Sequence, residues 1–171
     1  NNGHEPWRPV SIFRTTQTHL LQVRPWLPDA IGHITYVANG MADLGVFLPI
    51  YQGIKSFPKA YQIGDNHCTD DSAYWKFRKV MTLAMTNYNA YAPVVKERYA
   101  KLEAENDERQ KEFEARYLAI YKEKPMEAQD MLQAFSDQIL NRALEVADEL
   151  TLDLFTRLTE DTMKNYMFHG A

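Results

Sequence analysis

No glycine occurs between Asp65 and His169, and that gap constrains the fold more than any other feature of the chain. Five of the seven glycines fall between Gly32 and Gly64, and six of the eight prolines lie at or before Pro58. Gly and Pro are the residues that interrupt helices, so their distribution divides the sequence in two. Charge divides at the same place. Residues 1–62 carry five basic and three acidic residues; residues 63–171 carry 14 and 20. A turn-rich, slightly basic segment, 1–62, therefore precedes an acidic segment, 63–171, built almost without breakers.

The second segment reads as three helices. Thr69, Asp70 and Asp71 offer N-caps and acidic first-turn residues to a helix near 71–88, because their oxygens accept free backbone N–H groups. Pro93 suits the first turn of a helix running to about Lys122, with Val95, Tyr99, Leu102, Phe113 and Tyr117 along one stripe. Pro125 opens a third, reaching about Tyr166, with Leu132, Phe135, Ile139, Ala143, Val146, Leu150, Leu154 and Leu158 at helical spacing. The short link at 121–124 predicts an antiparallel pair, with no strand from 63 onward.

The first segment reads as strands. Residues 10–23 are rich in Thr, Val, Ile and Phe, and Pro25 ends them. Ile31–Ala38 and Leu44–Tyr51 form two further runs, separated by a hairpin loop at 39–43. On the first strand Ile12, Arg14, Thr16 and Thr18 share one side, and Phe13, Thr15, Gln17 and His19 the other. Polar groups on both faces suit a strand that lines a site better than one that fills a core. Only ten residues precede Ser11, too few for a paired strand. The expectation is that an N-terminal part of the protein, and with it the reactive group, lies outside this chain.

Composition excludes several functions. Hydrophobic residues at 45% and charged residues at 25% are globular values, and no apolar run approaches a membrane span. A net charge of −4 argues against a nucleic-acid surface. The single Cys68 excludes an intrachain disulfide and a multi-thiolate zinc site.

Few residues invite chemistry. Arg14, mid-strand among hydroxyls, is either surface or a fixed guanidinium that stabilises a carboxylate or developing oxyanion. His19 and His33 could act as bases, though a hydrogen-bonded structural histidine is the simpler reading of each. The segment 65–71 holds metal-ligand types but lacks a calcium-loop register, and helix capping explains it. Cys68 lies before a helix start without an evident base, which leaves it inert. The acidic run Glu103–Glu114 reads as the solvated face of a helix.

Phe13-Arg14-Thr15-Thr16-Gln17-Thr18-His19, Gln22-Val23-Arg24-Pro25 and Ile31-Gly32 resemble the dipeptidase A family of cysteine peptidases, relatives of the secernins. Val46-Phe47-Leu48-Pro49-Ile50-Tyr51-Gln52-Gly53 and Asp70-Asp71-Ser72-Ala73-Tyr74-Trp75-Lys76-Phe77 are similar to that family's later motifs. The resemblance implies an α+β fold: the C-terminal part of an αββα N-terminal-nucleophile hydrolase sandwich, a few antiparallel strands followed by long helices. It also implies hydrolysis of dipeptides through an N-terminal cysteine, with no cofactor and no metal. Asn1 cannot be that nucleophile and Cys68 does not align with it, so the chain alone should be inactive. The partners implied are a dipeptide substrate and the missing N-terminal part, without nucleic acid or membrane; a homo-oligomer is left open. Arg14 would be an auxiliary catalytic group. An amidase or acylase of the same fold is the neighbouring alternative, and a non-enzymatic helical interaction module the more distant one.

Overall fold

The computed structural model describes residues 11–64 and 66–169. Three strands, β1 (Gln17–Val23), β2 (His33–Asn39) and β3 (Leu48–Tyr51), form an antiparallel sheet in the order β1-β2-β3. A single helical turn, α1 (Asp29–Gly32), precedes β2. Three long helices follow: α2 (Ala73–Thr86), α3 (Tyr88–Ile120) and α4 (Pro125–His169). The architecture is mixed, with strands first and helices after, and no strand occurs among the described residues beyond β3.

The first strand is shorter than its composition predicts. Gln17 pairs with Asn39, the last residue of β2, and Gly40 then turns the chain away at φ 102°. The Gly40 N–H closes the ladder on the Thr16 carbonyl at 2.8 Å, and β2 extends no further alongside residues 11–15. They form a turn instead, with the Thr15 N–H on the Ile12 carbonyl at 2.9 Å. Glycine is required at 40 twice over: the φ is left-handed, and a Cβ would lie 1.9 Å from Met81 Cε. The run expected over 44–51 is likewise a strand only from Leu48. Ala42–Leu44 is a 3₁₀ turn, and the Phe47 N–H donates to Glu103 Oε1 at 2.7 Å rather than to a strand.

The helices follow the predicted stripes. Val95, Tyr99, Leu102, Phe113 and Tyr117 of α3 are buried, as are Leu132, Phe135, Ile139, Ala143, Val146, Leu150 and Leu154 of α4. The pair is antiparallel: Arg98 meets Glu149, and Arg109 Nη2 donates to Gln138 Oε1 at 2.8 Å. Two helix starts differ from expectation. The α3 helix begins five residues ahead of Pro93, at Tyr88, because the Ala90 and Tyr91 N–H groups both bond the Asn87 carbonyl. Pro93 then removes one internal bond, the one its N–H would have made to the carbonyl of exposed Asn89. At α2 the N-cap position is Ser72, whose hydroxyl donates to the Ile63 carbonyl at 2.8 Å instead of capping. Thr69 Oγ1 accepts only from the Asp71 N–H, at 3.2 Å, and Asp70 pairs with Lys79.

One core joins the sheet to the helices. Ile34, Ala38 and Tyr51 are buried on the face that meets α3 and α4, with the Tyr51 ring edge-on to Phe113 and Phe135 at 5.6 and 6.2 Å.

Candidate functional site

Strand alternation puts Thr35, Val37 and Asn39 on the face away from α3. The register sets Thr35 opposite Ile50, Val37 opposite Leu48 and Asn39 opposite Gln17. Together with Phe57, Tyr61 and Leu140 these residues line a groove of about 450 Å³. That volume lies within the range of small-molecule sites, roughly 300–1,000 Å³. Its polar groups, Gln17, Thr35 and Asn39, are amides and a hydroxyl; none of the lining residues carries a charge. Tyr61 donates its hydroxyl to the Leu140 carbonyl at 2.9 Å, and burial, with Tyr99 nearby, pushes its phenol well up. It is therefore not a base. Such a groove can hydrogen-bond amides and shelter an apolar side chain.

The opposite face carries a largely buried polar network. Arg24, just past β1, forms a bidentate pair with Glu114 of α3, Nη1 to Oε2 at 2.8 Å and Nη2 to Oε1 at 2.7 Å. Arg24 Nη2 also donates to the Ile31 carbonyl at 2.6 Å. Glu114 Oε1 further accepts from the Tyr51 hydroxyl at 2.6 Å and from Gln110 Nε2 at 3.3 Å. Both charged side chains are only 15% exposed. Burial pushes the Glu114 carboxyl up, but hydrogen bonds from Arg24, Tyr51 and Gln110 outweigh it and hold the group below the usual glutamate range. Burial, then the neighbouring Glu114, drives the Tyr51 phenol up. This network clamps sheet to helix: Glu114 Oε1 accepts three hydrogen bonds and Oε2 one.

One predicted feature of α3 needs correction here. The run Glu103–Glu114 is not simply a solvated face: Glu114 sits in the clamp, and Glu103 is half-buried on the Phe47 N–H. Burial pushes the Glu103 carboxyl up, against that hydrogen bond.

The sequence candidates are scattered. Arg14 lies in the turn before β1, not mid-strand, and is exposed. That turn is pinned to α2, since Arg78 Nη1 donates to the Phe13 carbonyl at 2.6 Å and the guanidinium stacks on the Phe13 ring at 4.0 Å. His19 lies opposite Val37 and His33 opposite Val23, so both are carried on the groove's face of the sheet. His33 Nδ1 lies 3.4 Å from the Asp29 carbonyl, at the limit of a hydrogen bond. Cys68 is exposed, and Asp65 lies outside the described residues. Among the described residues no three His, Cys, Asp or Glu side chains converge as a metal site.

Residues 1–101 match the model of Peptidase family C69, and the chain belongs to that family. A probable dipeptidase of Salmonella dublin is 54% identical over 66 residues, covering 39% of this chain and 14% of that protein. A probable dipeptidase A of Streptococcus pyogenes serotype M18 is 26% identical over 154 residues, 88% of this chain and 33% of its own length. Dipeptidase A of Lactobacillus helveticus is 29% identical over 85 residues, 50% and 18%. The chain thus spans a third or less of the curated relatives it matches.

Proposed function

We propose that this chain is the sheet-and-helix portion of a cysteine dipeptidase of the N-terminal-nucleophile type, whose nucleophile lies outside residues 1–171. Membership of Peptidase family C69, with relatives named as dipeptidases, is the observation that carries the reading. In the reaction envisaged, a cysteine thiol gives its proton to its own α-amino group and adds to the dipeptide carbonyl, and that proton passes to the amide nitrogen as the C–N bond breaks and the C-terminal amino acid leaves. Water then cleaves the thioester and restores the thiol. The groove beside Gln17, Thr35 and Asn39 supplies amide and hydroxyl partners suited to a peptide unit. Arg14, exposed on a pinned turn, supplies a guanidinium for the substrate carboxylate or the developing oxyanion.

Assay of the full-length protein on dipeptides and on N-acyl amino acids separates a dipeptidase from an acylase of the same fold. Dipeptide hydrolysis is expected from the full-length protein and none from the 171-residue chain. Preferential cleavage of N-acyl amino acids would replace the reading with the acylase one. In the active protein Arg14→Lys should lower kcat/KM about a hundredfold or more while folding normally, since Lys retains the charge but not the planar fork. Unchanged kinetics would return Arg14 to ordinary surface.

A further inference from the structure

The groove on the sheet has two kinds of wall. Gln17, Thr35 and Asn39 stand on strands that their ladder holds in place, whereas Phe57 and Tyr61 belong to the segment that follows β3. Between Tyr51 and the 3₁₀ turn at Lys59–Gln62 that segment has no repeating structure. Its backbone groups must therefore find partners elsewhere.

Helix α4 supplies them. Gln129 Nε2 donates to the Gly53 carbonyl at 2.9 Å. Gln133 Oε1 accepts from the Lys55 and Ser56 N–H groups at 2.9 and 3.3 Å, and its Nε2 donates to the Ser56 carbonyl at 3.0 Å. The Leu140 carbonyl takes the Tyr61 hydroxyl at 2.9 Å. Residues 129, 133 and 140 are four and seven positions apart, which aligns them within about 40° on a helix of 3.6 residues per turn. The segment thus runs along one line of α4, in the helix's own direction, and is held at three places. Its near end cannot shift, since even a Cβ at Gly53 would lie 2.6 Å from the Ala30 Cβ.

The middle hold is the one beside the groove. A single amide takes both the N–H and the C=O of Ser56, as a neighbouring strand would, and Phe57 is the next residue. Asp137 Oδ1 also accepts from Gln133 Nε2, at 3.0 Å, which orients the amide. We infer that Gln133 is a positioning residue for the groove: it sets where Phe57 stands, and so the width open to the side chain of a bound dipeptide. The inference rests on the dipeptidase reading above. Gln133 is not itself among the lining residues, so it acts through the segment alone. Loss of its amide frees Phe57 but leaves Gln17, Thr35 and Asn39 on their strands. The penalty therefore falls on substrates whose side chain reaches Phe57, and on binding rather than on chemistry.

In the active full-length protein, Gln133→Met keeps the volume and removes the amide's hydrogen bonds. It should raise KM for Leu-Leu about tenfold, leave KM for Gly-Gly within about twofold of the parent, and leave kcat unchanged for both. Gln133→Glu keeps the acceptor for the two N–H groups; combined with Asp137→Asn, which removes the facing carboxylate, it should recover part of the loss. Amide hydrogen exchange, read by mass spectrometry, should quicken in residues 54–58 of Gln133→Met and not in the strands. Equal losses on both dipeptides, or a lower kcat at unchanged KM, would make Gln133 an ordinary support of the fold and overturn the inference. Faster exchange with parental kinetics would also overturn it, because the segment would then be held without shaping the substrate's site. Dipeptide cleavage that Gln133→Met leaves unaltered removes the positioning role and spares the dipeptidase reading; no cleavage of dipeptides by the parent removes both.

Discussion

Arg24→Ala should destabilise the fold by about 3–5 kcal/mol, the usual consequence of removing one partner from a buried ion pair. The loss is large because Glu114 stays behind, only 15% exposed, with its charge answered by the Tyr51 hydroxyl and Gln110 amide alone. A urea midpoint that falls with unchanged slope would record it. Replacing both Arg24 and Glu114 by Met should cost less than either single loss, since an apolar pair leaves no stranded charge. A single variant within about 1 kcal/mol of the parent would reduce the clamp to a surface salt bridge. The pair also sets a pH dependence. Glu114 titrates below its ordinary value of 4.5 in the folded chain, so its contribution is complete above that value. It drains away as pH falls through the lower folded-state value. The Arg24→Ala variant should lose much of this acid sensitivity.

Phe113→Ala should cost a comparable amount, about 3–5 kcal/mol, for a different reason. Phe113 is 4% exposed and stacks on Phe135 at 4.2 Å and 8°. It also meets Tyr51 edge-on at 5.6 Å and Tyr117 at 5.9 Å. Three elements converge on this ring, so truncation opens a cavity that neither helix nor strand can close alone. Phe113→Leu keeps most of the volume and should lose much less, about 1.5 kcal/mol or under. Equal losses from the two variants would mean that ring stacking, rather than filled volume, dominates.

The helical half was legible because nothing interrupts it. Without glycine from 65 to 169, the apolar spacing of α4 resolves as one long helix; seven of the eight stripe residues are buried, Leu158 is partly so, and Ala128, Ser136, Leu140, Leu144 and Ala147 widen the buried face beyond the stripe. The strand half was less so. Gly40 ends the β1–β2 ladder by turning the chain, and no property of residues 11–16 themselves reveals that their partner has left. Arg24 was passed over because it abuts Pro25, and Glu114 because it stands in a run of charges. The missed signal was position: Glu114 follows Phe113, four residues after Gln110, on the stripe that α3 buries. The groove combines Gln17 and Asn39 with Phe57, Tyr61 and Leu140, and such distant positions meet only in the folded chain.

The clamp also has a place in time. Arg24 and Glu114 are 90 positions apart, whereas α3 and α4 meet across the short link at 121–124. Loop entropy favours the nearby contact, so the helical hairpin can assemble early and the sheet docks on it afterwards. A bond made after the rate-limiting step leaves refolding untouched and acts only on escape. Arg24→Ala should therefore unfold faster while refolding at the parental rate, and a slowed refolding limb would put the guanidinium in the nucleus instead. Arg24 is then a latch: it sets how long the sheet stays on the helices, not how quickly it arrives.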